Sequence, residues 1–169
     1  STGTYIDRFV NIGSGNLGNP NGIAFGPGGD LFVTNPTGDG TVDANTIKRY
    51  SGTTGAPVGS NGTFVTSGSG GLDLPFSAKW NNSNTFLLVS SLSNNQILRY
   101  TSTGAFDSVF AGGANVSSPT GLTFGPDGNL YVSMSSGTNA NTVKRFDGTT
   151  GAFLGDFVSA GSGGLDGPG

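Results

Sequence analysis

The stretch NPTGDGTVDANT, residues 35 to 46, sets Asn35, Thr37, Asp39, Gly40 and Asp43 at alternating positions, a spacing that lets side-chain oxygens wrap a hard cation such as calcium. It has Asn rather than Asp at its first position. It also lacks a bidentate Glu at its last, where the uncharged Thr46 cannot supply the missing ligand. The same residues read equally as a long inter-strand loop held by Asx turns. Asn35, Asp39 and Asp43 are therefore weak metal candidates. The rest of the chain narrows the chemistry further, because it contains no His, no Cys and no Glu, and all ten acidic residues are Asp. Thiol nucleophiles, Cys or His zinc sites, Ser-His-Asp triads and imidazole acid–base catalysis are excluded within these residues. The expectation is of no cofactor, no catalytic residue and no enzyme.

Other side chains recur in register. Arg49, Arg99 and Arg145 each precede an aromatic residue, and could form a cationic ring. The simpler reading has each guanidinium bonding strand carbonyls or a nearby Asp while its stem covers apolar surface. Trp80, Tyr50 and Tyr100 would be the contacts for a small ligand or glycan if exposed. Asn61, Asn81 and Asn115 stand in Asn-x-Ser/Thr sequences and are candidate glycosylation acceptors, although a chain rich in Asn and Thr produces such triplets by chance.

A formal net charge of -3 argues against nucleic acid, whose binding rests on Lys and Arg at phosphates. No apolar run approaches the ~20 residues of a membrane span. With 32 Gly, 10% charged residues and 12 Phe in short alternating runs, the composition fits a packed all-β domain better than disorder.

What must position these residues is a repeated unit. Thr-Gly pairs at 2, 54, 103 and 150 are followed by an apolar run, a Gly/Ser/Asn linker and a Pro at 20, 75, 119 and 168. Five residues beyond the first three prolines stand Phe25, Trp80 and Phe124, expected to be buried in equivalent positions between neighbouring units. Later come NTIKRY at 45 to 50, NQILRY at 95 to 100 and NTVKRF at 141 to 146. A period of about 50 residues with several strands in each points to propeller blades. The third unit parses into strands at 121 to 125, 129 to 134, 142 to 147 and 152 to 160, with a Pro-Asp-Gly turn after the first.

The two patterns, Pro-x-Gly-[Ile/Leu]-x-Phe-Gly-Pro-x-Gly-x-Leu-[Phe/Tyr]-Val and Asn-x-[Ile/Val]-x-Arg-[Phe/Tyr], resemble the NHL repeat, most clearly in the first and third units. The resemblance implies four-stranded antiparallel blades, six of which close a ring in typical members. Some relatives with this general propeller are hydrolases or lyases with a channel metal held by Glu, Asp, Asn or His. That activity is not carried over to a chain without Glu or His. The family's second strand often ends in Asp, and here VTN, VSS and VSM stand instead.

Residues 2 to 21 align without a gap on residues 150 to 169. The expected organisation is one domain, 1–169: outer strand and linker of a preceding blade at 1–21, blades at 22–67, 75–113 and 119–160, and a linker to a next blade at 161–169. The fold class is all-β, with three β-propeller-type blades forming a partial or open propeller that further copies, or the rest of a longer chain, would complete. A strand at Tyr5 to Val10, with Tyr5, Phe9 and Ile12 as assembly residues, is expected to pair with another chain, head to tail, in a ring or filament. The function expected is a non-catalytic structural, self-assembling or adhesion element, extracellular or at the cell surface. The alternatives are a glycan- or ligand-binding propeller module and a fragment of a six-bladed NHL protein.

Overall fold

The computed structural model describes residues 3–37 and 43–168. Asp39, one of the three metal candidates, lies outside the described residues. Among the described residues, twelve strands form three separate antiparallel sheets, each built from four strands consecutive in sequence. The first blade holds β1 (Ile23–Phe25), β2 (Leu31–Asn35), β3 (Thr46–Tyr50) and β4 (Thr63–Val65). The second holds β5 (Pro75–Trp80), β6 (Phe86–Ser91), β7 (Gln96–Thr101) and β8 (Phe106–Ala111). The third holds β9 (Pro119–Phe124), β10 (Leu130–Met134), β11 (Thr142–Phe146) and β12 (Phe153–Val158), close to the strands read from the sequence.

Strand pairing has a local cause. Between β9 and β10 the chain reverses through Pro126, Asp127 and Gly128, where Gly128 takes φ 77°, a conformation that favours glycine. Asp127 closes the turn by accepting from the Asn129 backbone N–H at 3.1 Å. A bond donated by the Asn129 side-chain amide at 2.7 Å, with that backbone bond and one from the Tyr131 hydroxyl, holds the Asp127 carboxyl below its ordinary range.

Period-two alternation then gives every blade two apolar faces, and neighbouring blades bury them against each other. Ala24, Phe32, Ile47 and Val65 of the first blade, with Leu72 of the linker, meet Ala78, Trp80, Leu87, Val89, Leu98 and Tyr100 of the second. The other face of the second blade, with Leu88, Ile97 and Phe110, meets Leu122, Leu130, Val132, Met134 and Phe146 of the third. Trp80 and Phe124, which follow linker prolines, thus pack back onto the preceding blade. Trp80 does so at 4% exposure and Phe124 is half-buried.

Phe25 corrects the expectation of three equivalent buried aromatics, for it is 66% exposed. No described blade precedes the first, so the face Phe25 would enter is missing.

The Thr-Gly signature has a steric origin. Gly104 lies under the Phe64 carbonyl and Gly151 under that of Phe110, leaving no room for a Cβ, so each turn tucks beneath the outer strand of the preceding blade.

Candidate functional site

On the two outermost blade faces the pattern continues, and no blade among the described residues receives it. On the inner contact, Phe32 and Phe64 meet edge to face at 4.8 Å, and Trp80 closes on both at 5.0 and 6.0 Å. Register places Tyr131 opposite Arg145 as Phe32 is opposite Arg49, and the corresponding pair on the third blade is Tyr131 with Phe157. These rings also meet edge to face at 4.8 Å, and Phe157 is left 60% exposed. Beside them is a hollow of about 300 Å³ lined by Gly121, Leu122, Thr123, Tyr131, Ser133 and Val143. At the opposite end of the chain, Phe25 and Ile23 are exposed, and they stand where Trp80 and Ala78 stand on the second blade.

A hydroxyl clasp repeats beside each aromatic pair. Thr34 Oγ1 accepts from the Gly22 N–H at 2.7 Å and donates across to the Phe76 carbonyl at 3.1 Å. Ser90 Oγ accepts from Ser77 N–H at 2.8 Å and donates across to the Thr120 carbonyl at 2.8 Å. Ser133 Oγ accepts from Gly121 N–H at 2.8 Å in the same way, but its other contact is with Thr120 Oγ1 of its own blade. These three hydroxyls belong to the middle residues of VTN, VSS and VSM. Their shared position was visible in the sequence; that Thr34 and Ser90 reach across to the next blade was not.

The repeat Asn residues grip the linkers. Asn45 Oδ1 accepts from Leu74 N–H at 2.9 Å, Asn95 Oδ1 from Ser118 N–H at 2.7 Å and Asn141 Oδ1 from Gly167 N–H at 2.8 Å. All three Asn adopt positive φ, which Asn tolerates better than most residues.

The strand expected at Tyr5 to Val10 is not formed, which corrects that reading. Residues 3–21 form no strand, and the sheet whose outer strand they would be is not among the described residues. Instead they lie against the first blade, with Val10 and Leu17 packed on Leu31, Val33 and Tyr50. Of the three assembly residues, Tyr5 and Ile12 point to solvent at 77% and 85% exposure, while the Phe9 carbonyl sits over Gly55. Ser14 accepts from the Tyr50 hydroxyl at 2.8 Å, and burial pushes the Tyr50 phenol up to about 12.

The remaining candidates have local partners. Arg49 pairs with Asp30 at 2.7 Å and lies over Phe32, and Arg99 pairs with Asp107 at 2.5 Å and lies over Phe86. The bond from Arg99, helped by Ser108, holds the Asp107 carboxyl low. Arg145 has no carboxylate partner among the described residues, since Asn129 occupies the position of Asp30 and Leu154 that of Asp107.

Asn35 Oδ1 accepts from Gly18 and Asn19 N–H, both at 3.1 Å, and its amide donates to the Asp43 carbonyl. The Asp43 carboxylate takes the buried Lys48 at 2.6 Å, and that hydrogen bond depresses its pKa against the opposing effect of burial. Among the described residues no group of three or more acidic side chains could hold a metal. Asn81 is tied on both sides of its amide, to Ser83 and Thr85, whereas Asn61 is exposed and Asn115 half-buried. Tyr50 and Tyr100 are fully buried and Trp80 nearly so. That burial removes them as ligand contacts. A polar cleft of about 590 Å³ lies elsewhere on the first blade, lined by Asp43, Ser60, Asn61 and Thr63 among others.

No protein-family model matches the chain, and no curated protein does. Solved structures do. A streptogramin B lyase matches with a TM-score of 0.59 at 22% identity over 83% of this chain and 40% of its own. Hydrazine synthase from Kuenenia stuttgartiensis matches at 0.65 and 18% identity, over 99% of this chain and 40% of its own. A chain of the nidogen/laminin complex matches at 0.61 and 20% identity, over 82% and 48%.

The fold is that of a β-propeller. The chain spans less than half the length of each of these proteins, and its three sheets do not close a ring. The comparisons also correct the expectation that the chain is not an enzyme. Propellers of this shape include a lyase and a synthase, so neither the fold nor the missing His, Cys and Glu assigns it to a non-catalytic class.

Proposed function

We propose that this chain is an NHL-type propeller segment that works by joining blades, its third blade receiving the first blade of a second copy head to tail. The observation that carries the reading is the Tyr131–Phe157 pair, which has the geometry of the Phe32–Phe64 pair that grips Trp80, while Phe25 stands exposed at the position equivalent to Trp80. Lock and key are therefore on opposite faces of one chain. The Ser133 hydroxyl would reach the Asn21 carbonyl of the second copy, as Thr34 reaches Phe76.

Because the two faces differ, the contact is heterologous and builds a ring if its rotation closes or a filament if it does not. The weakly charged, Gly- and Ser-rich chain suits an extracellular or cell-surface assembly.

Particle mass measured against concentration tests this. Association is expected, weakened at least tenfold by Phe25→Asp at one face and by Thr123→Arg at the other. Both positions are exposed, so the fold should tolerate the changes. A single-chain mass at every concentration, or association indifferent to both substitutions, would overturn the reading.

A further inference from the structure

The segment that covers the first blade copies, contact by contact, the linker that joins the first blade to the second. Gly13, Ser14, Gly15, Asn16 and Leu17 correspond to Gly68, Ser69, Gly70, Gly71 and Leu72, and to Gly161, Ser162, Gly163, Gly164 and Leu165. The backbone repeats too, with φ of 72°, 71° and 74° at the first glycine and 64°, 63° and 60° at the third residue of each set. Phe9 lies over Gly55 as Phe64 lies over Gly104. Val10 and Leu17 cover Tyr50 as Val65 and Leu72 cover Tyr100. Tyr50 donates to the Ser14 carbonyl at 2.8 Å, and Tyr100 to that of Ser69 at 2.8 Å.

Resting on the head-to-tail reading, we infer that residues 9–20 and residues 157–168 of a second copy compete for this one surface, so that the N-terminal segment is a removable cover restraining assembly. A second copy docking its third blade here would bring Val158, Ser162 and Leu165 to the places held by Val10, Ser14 and Leu17. Both sets cannot fit, since the Tyr50 hydroxyl has one proton to give.

The N-terminal segment is the one that yields. Residues 153–158 are laddered to β11 through Val143, Lys144, Arg145 and Phe146, and Lys144 also bonds Asp156 at 2.6 Å, whereas residues 9–20 belong to no sheet.

The test uses the full chain and a labelled peptide of residues 150–168. A peptide of this pattern should seat without a sheet, as residues 9–20 do. In a variant carrying Val10→Asp and Leu17→Asp, which lifts the cover, the peptide is expected to bind at least tenfold more tightly than to the unaltered chain. An unlabelled peptide of residues 3–20 should compete it off. Ile12→Asp, which adds a charge at a solvent-facing position of the same segment, should change nothing.

Particle mass is measured in parallel. Selective peptide binding by chains that stay monomeric would leave the competition standing and remove the head-to-tail reading. Equal binding to covered and uncovered chains, or to neither, would overturn the competition, whatever the particle mass.

Discussion

The upstream face of the second blade and the upstream face of the first carry the same fittings, yet only one is closed. On the second blade, Leu72 and Tyr100 are sealed beneath a linker that continues from a complete sheet, and Trp80 fills the slot between Phe32 and Phe64. On the first, Leu17 and Tyr50 meet in the same way, but Phe25 and Ile23 remain in solvent. The linker grip is therefore local, needing a Leu, a Ser carbonyl and a tyrosine hydroxyl. Burial of the inner-strand aromatic is not local, because only a neighbouring sheet can supply it.

Paired substitutions sharpen the contrast. Trp80→Ala, which empties a slot between two blades, is expected to cost about 3–5 kcal/mol in denaturant unfolding. At dilutions that keep the chain single, Phe25→Ala at the equivalent exposed position should stay within about 0.5 kcal/mol. A similar large cost at both sites would mean that the first face is closed in solution.

The Asn grips come next. Asn45→Ala removes an acceptor for Leu74 and a donor to Asp73 and places Ala at φ 54°, for an expected loss of about 2 kcal/mol. Asn141→Ala breaks the matching bonds to Gly167 and Asp166 and should cost about 1 kcal/mol, because the linker it holds leads to no described blade. Thermal unfolding of the two variants side by side checks the difference.

The smallest effect separates the tyrosines. Tyr100→Phe should cost about 1 kcal/mol and Tyr50→Phe about 0.5, since burial perturbs the Tyr50 phenol less than the Tyr100 phenol and water can more readily replace its bond. Both phenols are raised by burial, Tyr50 from 10.0 to about 12 and Tyr100 beyond it. In the unfolded chain they ionise first. Stability is therefore intact below pH 10 and falls as pH rises toward the folded values. Unfolding followed from pH 9 to 12 should show a shallower decline in each Phe variant than in the parent chain.

The sequence by itself determined the repeat, the four-stranded blades and most strand positions. Those follow from short-range rules: alternation of apolar residues, a Pro-Asp-Gly reversal, and Thr-Gly turns that leave room for a carbonyl. It also marked the positions of the clasp, in VTN, VSS and VSM, and of the grip, in the repeated Asn. What it could not determine was the fate of chemically equivalent residues at different places in the array. Phe25 and Trp80 share a register, yet one is exposed and the other buried. Residues 9–20 and 64–75 share a pattern, yet only the second set includes a strand, β4. Tertiary structure decided these outcomes, because burying a blade face or pairing a strand edge requires a second sheet at the right distance, and a residue's own neighbours in sequence do not contain it.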